Sequence, residues 1–71
     1  MPKILGVPYR RAVAAFRKAG FEVVHRGGKH TAMSNGEILI TIPRHNPVDQ
    51  FILAACARQA GLTIEEFRKL L

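Results

Sequence analysis

Phe21-Glu22-Val23-Val24-His25-Arg26-Gly27-Gly28-Lys29-His30-Thr31-Ala32-Met33-Ser34-Asn35-Gly36-Glu37-Ile38-Leu39-Ile40-Thr41-Ile42-Pro43, residues 21–43, is the stretch that decides the fold. Aromatic and β-branched residues over Phe21–His25 predict a strand. Gly27-Gly28 predicts a hairpin turn, and His30–Ser34 the return strand. Asn35-Gly36 is the stronger of the two hairpin signals. Ile38, Ile40 and Ile42 then alternate along a third strand with one buried face, which Pro43 ends. Consecutive hairpins give a three-stranded antiparallel sheet.

Helical patterns flank the sheet. Pro8 suits a first helical turn. Tyr9, Ala12, Val13 and Phe16 fall on one face, while Arg10, Arg11, Arg17 and Lys18 cluster on another. Gly20 is the expected C-terminal cap. After the sheet, Asn46-Pro47 reads as an N-cap and first residue of a second helix. Its core stripe is Val48, Phe51, Ile52, Ala55 and Cys56, and Gly61 closes it. Thr63-Ile64-Glu65-Glu66 reads as a capping box, with Leu62 and Phe67 as its hydrophobic staple. Leu70 and Leu71 are expected to pack the final turn. Helices on one face of an antiparallel sheet make an α+β sandwich. The order α-β-β-β-α resembles the double-stranded-RNA-binding domain, which reads A-form RNA by shape.

The 71 residues make one expected domain, 1–71, with a thin core and little room for a large cofactor. The hydrophobic share of 48% and charged share of 23% fit a globular chain. No apolar run is long enough to span a membrane, and Met1–Gly6 carries no secretory signal. Cys56 is the sole cysteine. These features lead us to expect a reducing cytoplasm.

Charge is uneven. The net charge is +6, and all of it falls in residues 1–44. There Lys3, Arg10, Arg11, Arg17, Lys18, Arg26, Lys29 and Arg44 face only Glu22 and Glu37. From His45 onward the charges balance. That asymmetry points to a nucleic acid or an acidic protein as partner. A solvated basic face without a partner is the plain alternative.

The residues exclude several chemistries. His25, His30, His45 and Cys56 lack the paired spacings of a zinc site, and the carboxylates are too scattered for Mg²⁺. No metal or cofactor is expected. Gly27-Gly28-Lys29 is too short for a phosphate-binding P-loop. What remains is histidine. RNA can be cut without a metal when the 2′-hydroxyl attacks its own phosphodiester, given a general base, a general acid and cations. His30, beside Lys29 and a Gly-Gly turn where backbone can approach a phosphate closely, fits that need. On spacing alone, a histidine that merely decorates a strand end remains open. Cys56 and Tyr9 read as core residues, His45 as structural. Pro43-Arg44-His45 reads as a strand end, with Arg44 available to a phosphate.

Ala19-Gly20-Phe21-Glu22-Val23-Val24, Gly28-Lys29-His30, Thr41-Ile42-Pro43-Arg44-His45 and Arg58-Gln59-Ala60-Gly61-Leu62-Thr63 with Glu66-Phe67 resemble, in order and spacing, the HicA toxins of toxin–antitoxin pairs. The resemblance implies a small ribonuclease of double-stranded-RNA-binding-like fold that cleaves mRNA and is blocked by a cognate acidic HicB antitoxin. It implies His30 as the catalytic histidine, ending the family's Gly-Ser-His motif. Lys29 stands where serine is usual, and His25 where arginine is usual.

The leading expectation is therefore a metal-independent endoribonuclease. A non-catalytic RNA-binding module and a protein-interaction module for an acidic partner are the alternatives. His30 is the expected acid/base, with Lys29, Arg26, Arg10, Arg17 and Arg44 on RNA. His25 is a second catalytic candidate. A two-residue Gly27-Gly28 loop would set His25 directly opposite His30. His25 shares its strand parity with the inward Phe21 and Val23, so sharing a face with His30 requires a sheet margin or a bulge.

Overall fold

The computed structural model describes residues 6–71. Lys3 and the N-terminal segment read above for a secretory signal lie, up to Leu5, outside the described residues. The elements run α1 (Tyr9–Lys18), β1 (Glu22–Arg26), β2 (His30–Ser34), β3 (Leu39–Pro43), α2 (Gln50–Gln59) and α3 (Ile64–Leu70). The three strands form one antiparallel sheet in the order β1-β2-β3. This is the expected α+β architecture of the double-stranded-RNA-binding type.

The β2–β3 register pairs Thr31 with Ile42 and Met33 with Ile40, and all four are buried. They form the sheet's inner face. Ala12, Val13, Ala15 and Phe16 of α1, Leu53, Cys56 and Ala57 of α2, and Phe67 of α3 complete the core against them. Phe16 holds that core together, edge-on to Phe21 at 6.1 Å and tilted against Phe67 at 4.7 Å between ring centroids. The other sheet face carries His30, Ala32 and Ser34 with Leu39, Thr41 and Pro43. No helix covers it.

Helix ends follow their chemistry. Gly20 and Gly61 follow α1 and α2 with φ of 97° and 82°, a region a side chain disfavours. The Thr63 capping box is complete: Thr63 Oγ1 accepts from Glu66 N, and Glu66 Oε1 accepts from Thr63 N. Leu62, Leu70 and Leu71 are half-buried against the core.

Several boundaries differ from the sequence reading. Pro8 precedes α1 in extended conformation (ψ 138°), its carbonyl accepting from Arg11 N and Ala12 N. Asn46-Pro47 does not open α2. Its cap is Asp49, whose carboxylate accepts from Phe51 N and Ile52 N, and Asn46-Pro47 is a cis peptide in the preceding turn. The carboxylate three residues later outcompetes the asparagine because it bonds two free amides and suits the helix dipole. Starting α2 there rotates its inner stripe. Leu53, Cys56, Ala57 and Ala60 are buried, while Phe51 is 75% exposed and Ile52 is exposed too. Val48 is buried but belongs to a bridge with Val7, not to the helix. In the second hairpin Asn35 N bonds Ile38 O, so Gly36-Glu37 is the loop and Asn35 flanks it.

Candidate nucleic-acid interface

The first hairpin places the candidate site. Gly27 N donates to His30 O at 2.8 Å, so the two loop residues are Gly28 and Lys29. β1 is thus shifted one residue along the chain from its reading, to Glu22–Arg26, and Arg26 faces Thr31. Farther along, Val23 faces Met33 while His25 faces Ala32, which leaves Val24 as an extra residue in a β-bulge. The expected opposition of His25 and His30 is therefore corrected: the shifted loop and the bulge place Ala32 opposite His25.

The bulge reverses the alternation of β1. Val23, opposite buried Met33, turns inward, and His25, opposite Ala32, shares the open face with His30. His25 is thus a diagonal neighbour of His30. The residue directly opposite His30 is Gly27, whose missing side chain leaves an empty slot on that face. A Cβ there would lie 3.5 Å from His25 Nε2 and 3.8 Å from Cδ2, so the His25 ring leans into the slot. The His25 imidazole thus borders the Gly27 slot, and the His30 side chain starts from the same open face across it. Both are exposed.

The cations take the other side. Arg10 and Arg17 of α1, Arg26 at the end of β1, and Arg44 beyond β3 line a groove of about 460 Å³ with Tyr9. Arg44 is held firmly. Its backbone N donates to Lys29 O at 2.8 Å, its Nη1 donates to Gly27 O at 2.9 Å, and its guanidinium lies 5.8 Å from the Tyr9 ring centroid. The Tyr9 hydroxyl in turn hydrogen-bonds Thr31 Oγ1. Arg44 thereby ties β3 to β1 beneath the end of β2. Lys29 occupies the turn tip between the two faces.

The seven sequence-chosen residues therefore do not converge on one pocket. His25 and His30 sit on the open face; Arg10, Arg17, Arg26 and Arg44 sit on the helix side; all but the α1 arginines belong to the hairpin end of the sheet. The cationic face of α1 also divides, because Lys18 Nζ donates to Leu70 O at the end of α3. Cys56 is buried, its thiol donates to Thr41 O, and burial pushes its pKa up. His45 is exposed. Among the described residues no group of three or more His, Cys, Asp or Glu could hold a metal ion, and no helix is long and apolar enough to cross a membrane.

Sequence reasoning missed Gly27 as the partner of His30 and Tyr9 as a wall of the arginine groove. The adjacent Val23-Val24 was the available signal for the bulge, since two apolar neighbours cannot both point inward from a regular strand.

Residues 9–62 match the family model of the HicA toxin of bacterial toxin–antitoxin, well over half of the 71-residue chain. The chain belongs to the HicA toxin family. It is thus the toxin of a toxin–antitoxin system, with an antitoxin as partner. The matched stretch covers α1, the sheet and α2, and so takes in both histidines and all four groove arginines of this HicA toxin. Comparison with curated proteins and with solved structures found no match.

Proposed function

We propose that this HicA toxin is an endoribonuclease that cleaves mRNA in the cytoplasm by transesterification at His30. The observation that carries this reading is the pair of imidazoles on the open sheet face, with the His25 ring leaning into the slot opposite His30. One imidazole takes the proton of the substrate's 2′-hydroxyl. The 2′-oxygen then bonds to phosphorus while the P–O5′ bond breaks. The other imidazole, protonated, gives its proton to the departing 5′-oxygen. The products are a 2′,3′-cyclic phosphate and a free 5′-hydroxyl. No metal enters, because the nucleophile belongs to the substrate. His30 is the primary acid/base and His25 its partner, with Lys29 at the turn available to neutralise charge on the pentavalent phosphorus. Arg10, Arg17, Arg26 and Arg44 bind the RNA backbone. A HicB-like acidic antitoxin would inhibit by covering His30 and this basic surface.

The test is incubation of purified protein with an mRNA transcript in EDTA. Discrete fragments ending in 2′,3′-cyclic phosphate are expected, and none from folded His30→Ala protein. Fragments with 5′-phosphate ends, or undiminished cutting by His30→Ala, would overturn the mechanism.

A further inference from the structure

The arginine groove and the histidine pair lie on opposite faces of the same end of the sheet. Arg26 faces Thr31 on the inner side, whereas His30 points to the open side. A ligand touching both must turn round the Gly27–Lys29 hairpin. The groove has the chemistry of a polyanion site. Four guanidiniums line it and no carboxylate does. Guanidiniums favour phosphate through paired, planar hydrogen bonds. The first turn of α1, which contributes Tyr9 and Arg10, has no acidic residue, and its one side-chain acceptor, Asn46 Oδ1 on Tyr9 N, is neutral, so the positive dipole end adds to the field.

The groove also has a defined limit. Arg17 is shared with a second hollow along β1 that is lined by Gly20, Phe21, Glu22 and Val23. The Glu22 carboxylate makes that far end unfavourable for a phosphate. The favourable track therefore begins at Arg17, passes Arg10, Arg26 and Arg44, and leads to the hairpin end.

We infer that this groove is a subsite for phosphates a few nucleotides from the cleaved bond, and that the substrate is a single strand folded round the β1–β2 hairpin. The inference rests on the ribonuclease reading and adds the form of the RNA and a second contact region. Two physical arguments favour a single strand. A duplex is stiff over the size of this domain and does not fold round a sheet edge. In A-form geometry the 2′-oxygen also stands far from the line of the P–O5′ bond, so in-line attack needs an unpaired, flexed nucleotide. Continuity of the groove with the hairpin that bears His30 favours RNA over an acidic peptide.

The experiment measures affinity of His30→Ala protein for a labelled oligoribonucleotide across a salt series, with and without Arg10→Gln/Arg17→Gln. Both arginines are exposed on α1, and glutamine preserves helix propensity. Each phosphate contact to a single strand contributes about 0.7 to the slope of log K against log salt, so the double variant should flatten that slope by about 1.4. The single strand should bind tighter than its duplex. An unchanged slope, equal binding of the duplex, or displacement of RNA by polyglutamate of equal charge at equal concentration would each overturn the subsite. Cleavage by the wild type is followed in parallel. Cutting with an unchanged slope removes the subsite and leaves the ribonuclease; absence of cutting removes the ribonuclease, whatever the slope.

Discussion

His25 Nε2 lies 3.5 Å from the point where a side chain on Gly27 would begin. The same added carbon would stand 3.1 Å from the His30 carbonyl oxygen. Gly27 therefore matters for the space it leaves rather than for its backbone angle, since its φ is not in the left-handed region. Gly27→Ala should fold, yet push the His25 ring out of the slot opposite His30. A rate loss on the order of 10–100-fold in kcat, with KM little changed, is the expected result for a misplaced proton-transfer group. Unchanged kcat in a folded Gly27→Ala protein would mean that the His25 ring position has no part in catalysis.

The division of labour between the imidazoles has its own signature. Two groups sharing base and acid roles give a bell-shaped dependence of rate on pH. His25→Arg puts a fixed cation at that position that cannot exchange a proton at neutral pH. It should lose one limb of the bell and most of the rate. If His25→Arg cuts RNA as fast as wild type, His25 is only a phosphate contact and His30 works alone.

The sheet was legible because alternation along Ile38, Ile40 and Ile42 and the glycine-bearing turns are local signals. The capping box at Thr63 and the stops at Gly20 and Gly61 were legible for the same reason. The start of α2 was not, because Asn46-Pro47 and Asp49 are both plausible starts by type. Only the chain path, with Val48 bridging Val7, decides between them. At the candidate site, the residue types were readable but their sides were not. One extra residue at Val24 and a loop moved by one position decide which face His25 takes, and such shifts depend on tertiary packing of Val23 rather than on turn chemistry. The separation of arginines from histidines followed from that same register.

Arg44 should behave as a brace for the hairpin. Its Nη1 bond to Gly27 O and its place beside Tyr9 depend on a planar guanidinium that lysine cannot imitate. The side chain is exposed, so Arg44→Lys should cost no more than about 0.5–1 kcal/mol in urea unfolding. Its effect on cleavage should exceed that share, since Gly27 lies opposite His30 and borders the His25 ring. Wild-type cleavage by Arg44→Lys would show that the hairpin end holds its shape without the brace.

Glu66 predicts an acid-side sensitivity. Its hydrogen bonds with the backbone and hydroxyl of Thr63 hold its carboxyl below the ordinary carboxylate range, with a smaller contribution from Lys69. A lowered folded-state pKa means that the capping box stabilises fully above the unfolded value. That contribution is lost as pH falls through the folded value. Glu66→Gln keeps an acceptor for Thr63 N but does not titrate. Its melting temperature should therefore fall less steeply with acid than that of wild type. Parallel acid profiles would show that the box does not contribute through ionisation.

The family match ends at Leu62, yet the core does not. Phe67 of α3 is wholly buried and packs on Phe16, while Lys18 of α1 reaches the Leu70 carbonyl at the end of α3. A domain of this length has roughly 4–11 kcal/mol of total stability at ~0.05–0.15 kcal/mol per residue. Replacing a buried phenylalanine by alanine removes about 3–5 kcal/mol of it through lost transfer energy and a cavity. Phe67→Ala should therefore lose a large share of the chain's stability and show a much lower urea midpoint. Phe67→Leu, which keeps most of the volume, should lose less than about 1.5 kcal/mol. Urea titrations of the three proteins provide the check. A Phe67→Ala midpoint close to wild type would mean that α3 is peripheral and that the stretch ending at Leu62 folds by itself.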